Sequence, residues 1–163
     1  MSWTFNGLPI HVLVVHFVVI VVPLTALVAV LAAFWPAARR RIGIVAPILA
    51  LVALISVPIA TQAGEALQEQ ITETSLSRMH THRGEDLLPW AGLLFLGALL
   101  QWGWFRYATG EGALAGRVTS ERARLVIRIV ITVLVVVAAV GACVQVFLIG
   151  ESGARAVWES RLN

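Results

Sequence analysis

The sequence is poor in charge. Only 13% of its 163 residues are Asp, Glu, Lys or Arg, where a soluble domain carries about a quarter. Lysine is absent, so all 12 basic residues are arginine. So little charge excludes a disordered chain and a water-soluble enzyme. The single cysteine, Cys143, excludes a disulfide framework, and inside an apolar stretch it reads as a buried, inert thiol. No glycine-rich phosphate loop, no nucleophile elbow with Ser, His and Asp, and no pair of carboxylates within one apolar stretch occurs. Nucleotide chemistry, serine hydrolysis and ordinary proton-coupled transport therefore lack their residues.

What is present is apolar: 59% of residues are hydrophobic, and the mean hydropathy is +0.87. Four runs, at about 8–34, 42–60, 87–105 and 125–149, each exceed the roughly 18 residues that mark a membrane-spanning helix. Among the charged residues only Arg128 falls inside a run. The reading is an all-α, polytopic membrane protein, a single four-helix transmembrane domain over residues 1–163.

Arginine placement sets the expected orientation. Arg39, Arg40 and Arg41 fill the first link; Arg106, Arg117, Arg122, Arg124 and Arg128 lie in or just after the third. The other connections hold only Arg78, Arg83, Arg155 and Arg161. The positive-inside rule makes the two arginine-rich links cytoplasmic and puts both termini outside. The aromatics agree: Trp3, Trp90 and Trp158 fall at outer ends, and Trp35, Trp102, Trp104 and Tyr107 at inner ends. The sequence pI of about 10.4 is thus a topology signal, and no nucleic-acid partner is expected. No cleaved leader is expected either, because the first run is too long and no basic residue precedes it.

Pro23, Pro47 and Pro58 should bend or loosen the first two helices, Pro36 should help stop the first, and Glu85–Asp86 should start the third with Pro89 in its first turn. Small residues four apart, Ser56, Ala60 and Gly64 on the second helix and Ala138 and Ala142 on the fourth, permit close helix contact. The link 61–83 can hold a short amphipathic helix or an extension of the second helix, with Glu69 and Glu73 on a solvated face. A faint internal repeat is visible. Each hairpin begins near histidines (His11 and His16; His80 and His82) and ends in Gly-Glu (Gly64-Glu65; Gly150-Glu151).

The four histidines carry the functional reading, since all lie in the outer part of the expected topology. His16 sits roughly 12 Å into the hydrocarbon, where ionisable groups usually mark function. Five residues separate His11 from His16, which turns their rings about 140° apart on a regular helix and prevents both from clamping one ion. His16 would instead meet His82 from the third helix, and one imidazole from each of two helices is what bis-histidine heme ligation needs. His11 is the alternative to His16. His80, in a polar link, reads as surface. Glu65, Glu85 or Glu151 would orient a ligand imidazole through its second nitrogen. A competing cluster of His80, His82, Glu85 and His11, with Met79 nearby, would suit copper, zinc or iron without porphyrin. In a third reading the histidines only hydrogen-bond within the bundle and the protein is a structural or accessory subunit without cofactor.

At these residues the chain resembles a bacterial membrane family known as domain of unknown function 2231. Gly7-Leu8-Pro9-Ile10-His11, followed by Val15-His16-Phe17, is similar to that family's opening; Val12 and Val18 stand where members typically have proline. His82-Arg83-Gly84-Glu85-Asp86 resembles the family's histidine ahead of the third helix. Gly150-Glu151-Ser152-Gly153 through Val157-Trp158 resembles its ending. The resemblance implies a four-helix membrane domain. Because some members are joined to cytochrome-like or Rieske-type domains, it also implies redox work at the outer face, with a redox protein or respiratory complex as partner. The expectation is an electron carrier or accessory protein rather than an enzyme, holding b-type heme or, failing that, a Cu, Zn or Fe ion.

Overall fold

The computed structural model describes residues 4–5, 8–68, 75–109 and 112–162. A pair of two-residue antiparallel strands, Thr4–Phe5 (β1) and Leu8–Pro9 (β2), leads into the helices. There follow α1 (Ile10–Phe34), α2 (Pro36–Ile42), α3 (Val45–Gln68), α4 (Ser75–Glu85), α5 (Leu87–Tyr107) and α6 (Glu121–Leu162). Four stretches are long and apolar enough to cross a membrane: Ile10–Phe34, Val45–Gln68, Arg78–Tyr107 and Glu121–Arg155. The all-α, four-span architecture is therefore the one the sequence predicts.

The spans form an up-down-up-down square. Its sides are the pairs α1–α3, α3–α5, α5–α6 and α6–α1, and α1 and α5 touch only weakly across the diagonal. Each side pairs antiparallel helices. One pole carries the start of α1, the end of α3, α4, the start of α5 and the far part of α6; we call it the histidine pole. The opposite, arginine pole carries α2 and the links flanking it.

The core is built from small side chains. Ala29, Ala50, Ala53, Ala91, Ala98, Ala138 and Ala142 are buried, while Ile20, Leu27, Ile55, Val130, Val140 and Phe147 are exposed on the outside. A water-soluble bundle does the reverse. In lipid the large aliphatic groups lose nothing by facing outward, and small residues let backbones approach. Gly97 accepts Val135 against its backbone, and Gly141 accepts the ring of Trp90. The row Ser56, Ala60, Gly64 and the pair Ala138, Ala142 lie in these seams.

Several boundaries differ from expectation. Leu8 and Pro9 pair as a strand, so the first helix starts at Ile10. The second span begins at Val45, because residues 36–42 form the separate helix α2 with Pro36 at its start and Gly43 at φ 50° after it. Proline suits that first-turn position because its missing N–H has no helical partner there. Pro23 and Pro58 lie within continuous helices, whereas Pro47 falls in the first turn of α3. The polar link resolves into two pieces: α3 runs on to Gln68, and α4 occupies 75–85. Residues Trp3, Glu69 and Glu73 lie outside those described. Asp86 makes no capping bond, since α4 already leads into α5 and the Asp86 N–H is bonded to the His82 carbonyl at 3.3 Å. Cys143 is exposed on the outer side of α6, not buried; its neighbour Ala142 takes the core position.

Candidate functional site: a histidine-lined cavity

A cavity of about 630 Å³ opens at the histidine pole between α1, α3, α4 and α6. That volume falls within the roughly 300–1,000 Å³ of small-molecule and cofactor sites. Val15, Val18, Val57, Leu87 and Ile149 contribute apolar wall, and His11, His16 and His80 contribute imidazoles.

His11 and His80 are brought together. Their ring centroids are 6.3 Å apart with planes at 86°. His11 Nδ1 lies 3.0 Å from the carbonyl oxygen of Ala60. A carbonyl can only accept, so Nδ1 carries the proton and, in the neutral ring, Nε2 carries the lone pair. His80 Nδ1 lies 3.1 Å from Ser152 Oγ, whose own proton goes to Ile149 O at 2.9 Å. The hydroxyl must therefore accept from His80 Nδ1–H, and Nε2 again keeps its lone pair. Both rings are held in the tautomer that leaves Nε2 for a ligand, which is what orienting partners do for metal-bound histidines.

Each ring also rests on a glycine. A Cβ at Gly64 would stand 2.9 Å from His11 Cε1, and one at Gly153 would stand 3.0 Å from His80 Cε1. Gly64 follows Ala60 by four residues, and Gly153 follows Ile149 by four. The two half-sites thus share one plan: a histidine from the opening segment of a hairpin, seated on a glycine one turn beyond the carbonyl that anchors its ring or the ring's hydroxyl partner. The expected Gly-Glu ending is not the shared feature, since the glycine beneath His80 is Gly153 and not Gly150.

The remaining expected residues sit elsewhere. His16 lines the cavity about one and a half turns deeper on α1, with Nδ1 bonded to Val12 O at 2.6 Å. His82 points away from the cavity. Its side chain is 76% exposed and faces the Glu85 carboxylate at 3.5 Å. The pairing of His16 with His82 is therefore replaced by His11 with His80. The reason is helical phase on α4: His80, Thr81 and Gly84 share the cavity face, and His82, two positions on from His80, falls opposite.

The glutamates orient neither ring. Glu85 is engaged with His82, Glu151 pairs with Arg155 at 2.6 Å, and Glu65 is exposed. Ala60 O and Ser152 Oγ hold the rings instead, and neither had a signal in the sequence beyond the small-residue row through Ala60. Among the described residues, no three His, Cys, Asp or Glu side chains converge as a metal-ion ligand set, so the cluster of His80, His82, Glu85 and His11 is not assembled.

Fold and cavity together define a small polytopic α-helical membrane protein with a paired-imidazole site at one pole. The chain belongs to the family described as predicted membrane protein (DUF2231), which it matches over residues 7–163. Comparison with curated proteins and with solved structures gives no match.

Proposed function

We propose that this protein is a membrane electron carrier that holds a b-type heme through His11 and His80 in the extracytoplasmic half of the bacterial cell membrane. The observation that carries the reading is the paired half-site: two imidazoles of the same tautomer, from different helices, with Nε2 of each left for a ligand. Both imidazoles line the same cavity with ring centroids 6.3 Å apart, so one group bound there would have both within reach. Among the described residues no three His, Cys, Asp or Glu side chains converge on one ion, so the pair fits a group that brings its own four nitrogens better than a bare Zn or Cu ion, which needs three or four from the protein. Bound heme would supply one-electron exchange. The chain's own part is to fix the rings through Ala60 and Ser152, to exclude water with the valine and leucine wall, and to place His16 as a polar group deeper in the cavity. Arginine at the opposite pole favours an outward-facing histidine pole, where a redox protein or respiratory complex would dock.

A second reading has its own support. The His11–Ala60 bond ties α1 to α3 and the His80–Ser152 bond ties α4 to α6, so the pair can act as structural cross-ties alone. One experiment separates the two. The protein, expressed with ample heme and purified in detergent, should show a Soret band with sharp visible bands on reduction. His11→Ala and His80→Ala should each lose most of that absorbance, and His82→Ala should keep it. Absence of porphyrin from the wild type, with both alanine variants melting earlier, would reject the heme reading and leave the cross-ties.

A further inference from the structure

A second cavity, of about 220 Å³, opens at the arginine pole between the ends of α1 and α5, α2 and the start of α3. Arg39, Arg40 and Arg106 line it, and among the described residues no carboxylate does. Its wall also contains Gln101, which is only 4% exposed and whose Nε2 has no hydrogen-bond partner. Gln101 lies six residues before the end of α5, roughly 9 Å below the rim of the helix. A buried amide donor without an acceptor is costly, and Gln101 stands in the wall of a cavity ringed by positive charge.

Arg39 is built into the wall. Its Nε donates to Ala32 O at 2.8 Å and its Nη2 to Ala33 O at 3.1 Å. Its guanidinium carbon lies 3.5 Å from the Phe105 ring centre. These contacts leave Nη1 for another acceptor. Burial first, then the charges of Arg128 and Arg40, draw the Arg39 pKa below the usual guanidinium value. The second effect is that of positive charges packed near one another.

We infer that this cavity binds a phosphate group, carried by an anionic lipid headgroup or by a soluble phosphate, with Arg39, Arg40 and Arg106 supplying charge and Gln101 Nε2 a fixed donor. Phosphate oxygens are acceptors only, so they match a site lined by three arginines and, among the described residues, no carboxylate, and guanidinium groups fit them best. Basic pockets between membrane helices at the charged leaflet suit headgroup phosphates in particular. The site stands apart from the histidine pole and does not depend on the heme reading.

The test uses the purified full chain in a neutral detergent, melted by tryptophan fluorescence. Phosphatidylglycerol, phosphatidylcholine of the same chain length, inorganic phosphate, and chloride at matched ionic strength are the four probes. Phosphatidylglycerol should raise the melting midpoint and phosphatidylcholine should not. Gln101→Leu, which keeps the volume and removes the unpaired donor, should still fold, yet need about tenfold more anion for the same rise; Arg106→Gln should do likewise. A rise confined to phosphatidylglycerol identifies the lipid headgroup, and an equal rise with inorganic phosphate identifies a soluble phosphate. Equal effects of the two lipids, with phosphate no better than chloride, would overturn the site, as would wild-type responses in both variants.

Discussion

The glycine beneath each histidine sets how close the two rings can come. At Gly64 and Gly153 a methyl group would stand 2.9 and 3.0 Å from an imidazole carbon, closer than nonbonded carbons pack. Gly64→Ala and Gly153→Ala should each cost about 1–3 kcal/mol of stability by overpacking and, under the proposed heme ligation, should also shift the heme absorbance. Gly150→Ala is the control, because a Cβ there meets nothing within 4 Å. Denaturant titration of the three variants in one detergent checks the ordering, and equal stability across all three would show that the rings do not need those seats.

At the scale of elements, α4 is the piece that makes the site, and it is held mainly from α6. Arg83 Nη1 donates to Leu148 O at 3.1 Å, Gln145 Nε2 donates to Arg83 O at 2.8 Å, and His80 joins Ser152. Gln145 is buried within a spanning helix, where an amide is retained only for what it bonds. Gln145→Leu should leave the Arg83 carbonyl unsatisfied, at about 1–3 kcal/mol. It should raise hydrogen exchange across 75–85 while the four spans stay protected. Unchanged exchange in α4 would mean that the latch is redundant.

The same elements show what the sequence could and could not reveal. Spans are legible because uninterrupted apolar length is a one-dimensional signal. The choice of His80 over His82 is not, because it depends on the phase of an 11-residue helix of polar composition, Ser75–Glu85, in a stretch without apolar periodicity. Likewise His11 and His16 both reach the cavity although their rings diverge, since a cavity spanning one and a half turns can accept side chains from both directions. Ser152 is not legible because a serine beside the membrane end of a helix has no pattern of its own; only its contact with His80 gives it a role.

For the whole molecule, the two poles differ in kind. Alanines inside and large aliphatic side chains outside make the bundle stable in hydrocarbon whichever way it is inserted, so packing does not choose the orientation. Charge does: Arg39, Arg40 and Arg41 on α2 and the arginines flanking the α5–α6 link share one pole, and translocating them is costly. The histidine pole should therefore face outward. Cysteine accessibility can decide this once Cys143 is replaced by alanine, since the native thiol is exposed on the lipid-facing side of α6. In that background His82→Cys, at a side chain 76% exposed, should react with a membrane-impermeant maleimide on intact cells. Leu114→Cys, at an exposed position of the α5–α6 link, should react only after the cells are opened. The reverse pattern would place the histidine pair on the cytoplasmic side, and with it any exchange of electrons through that cavity.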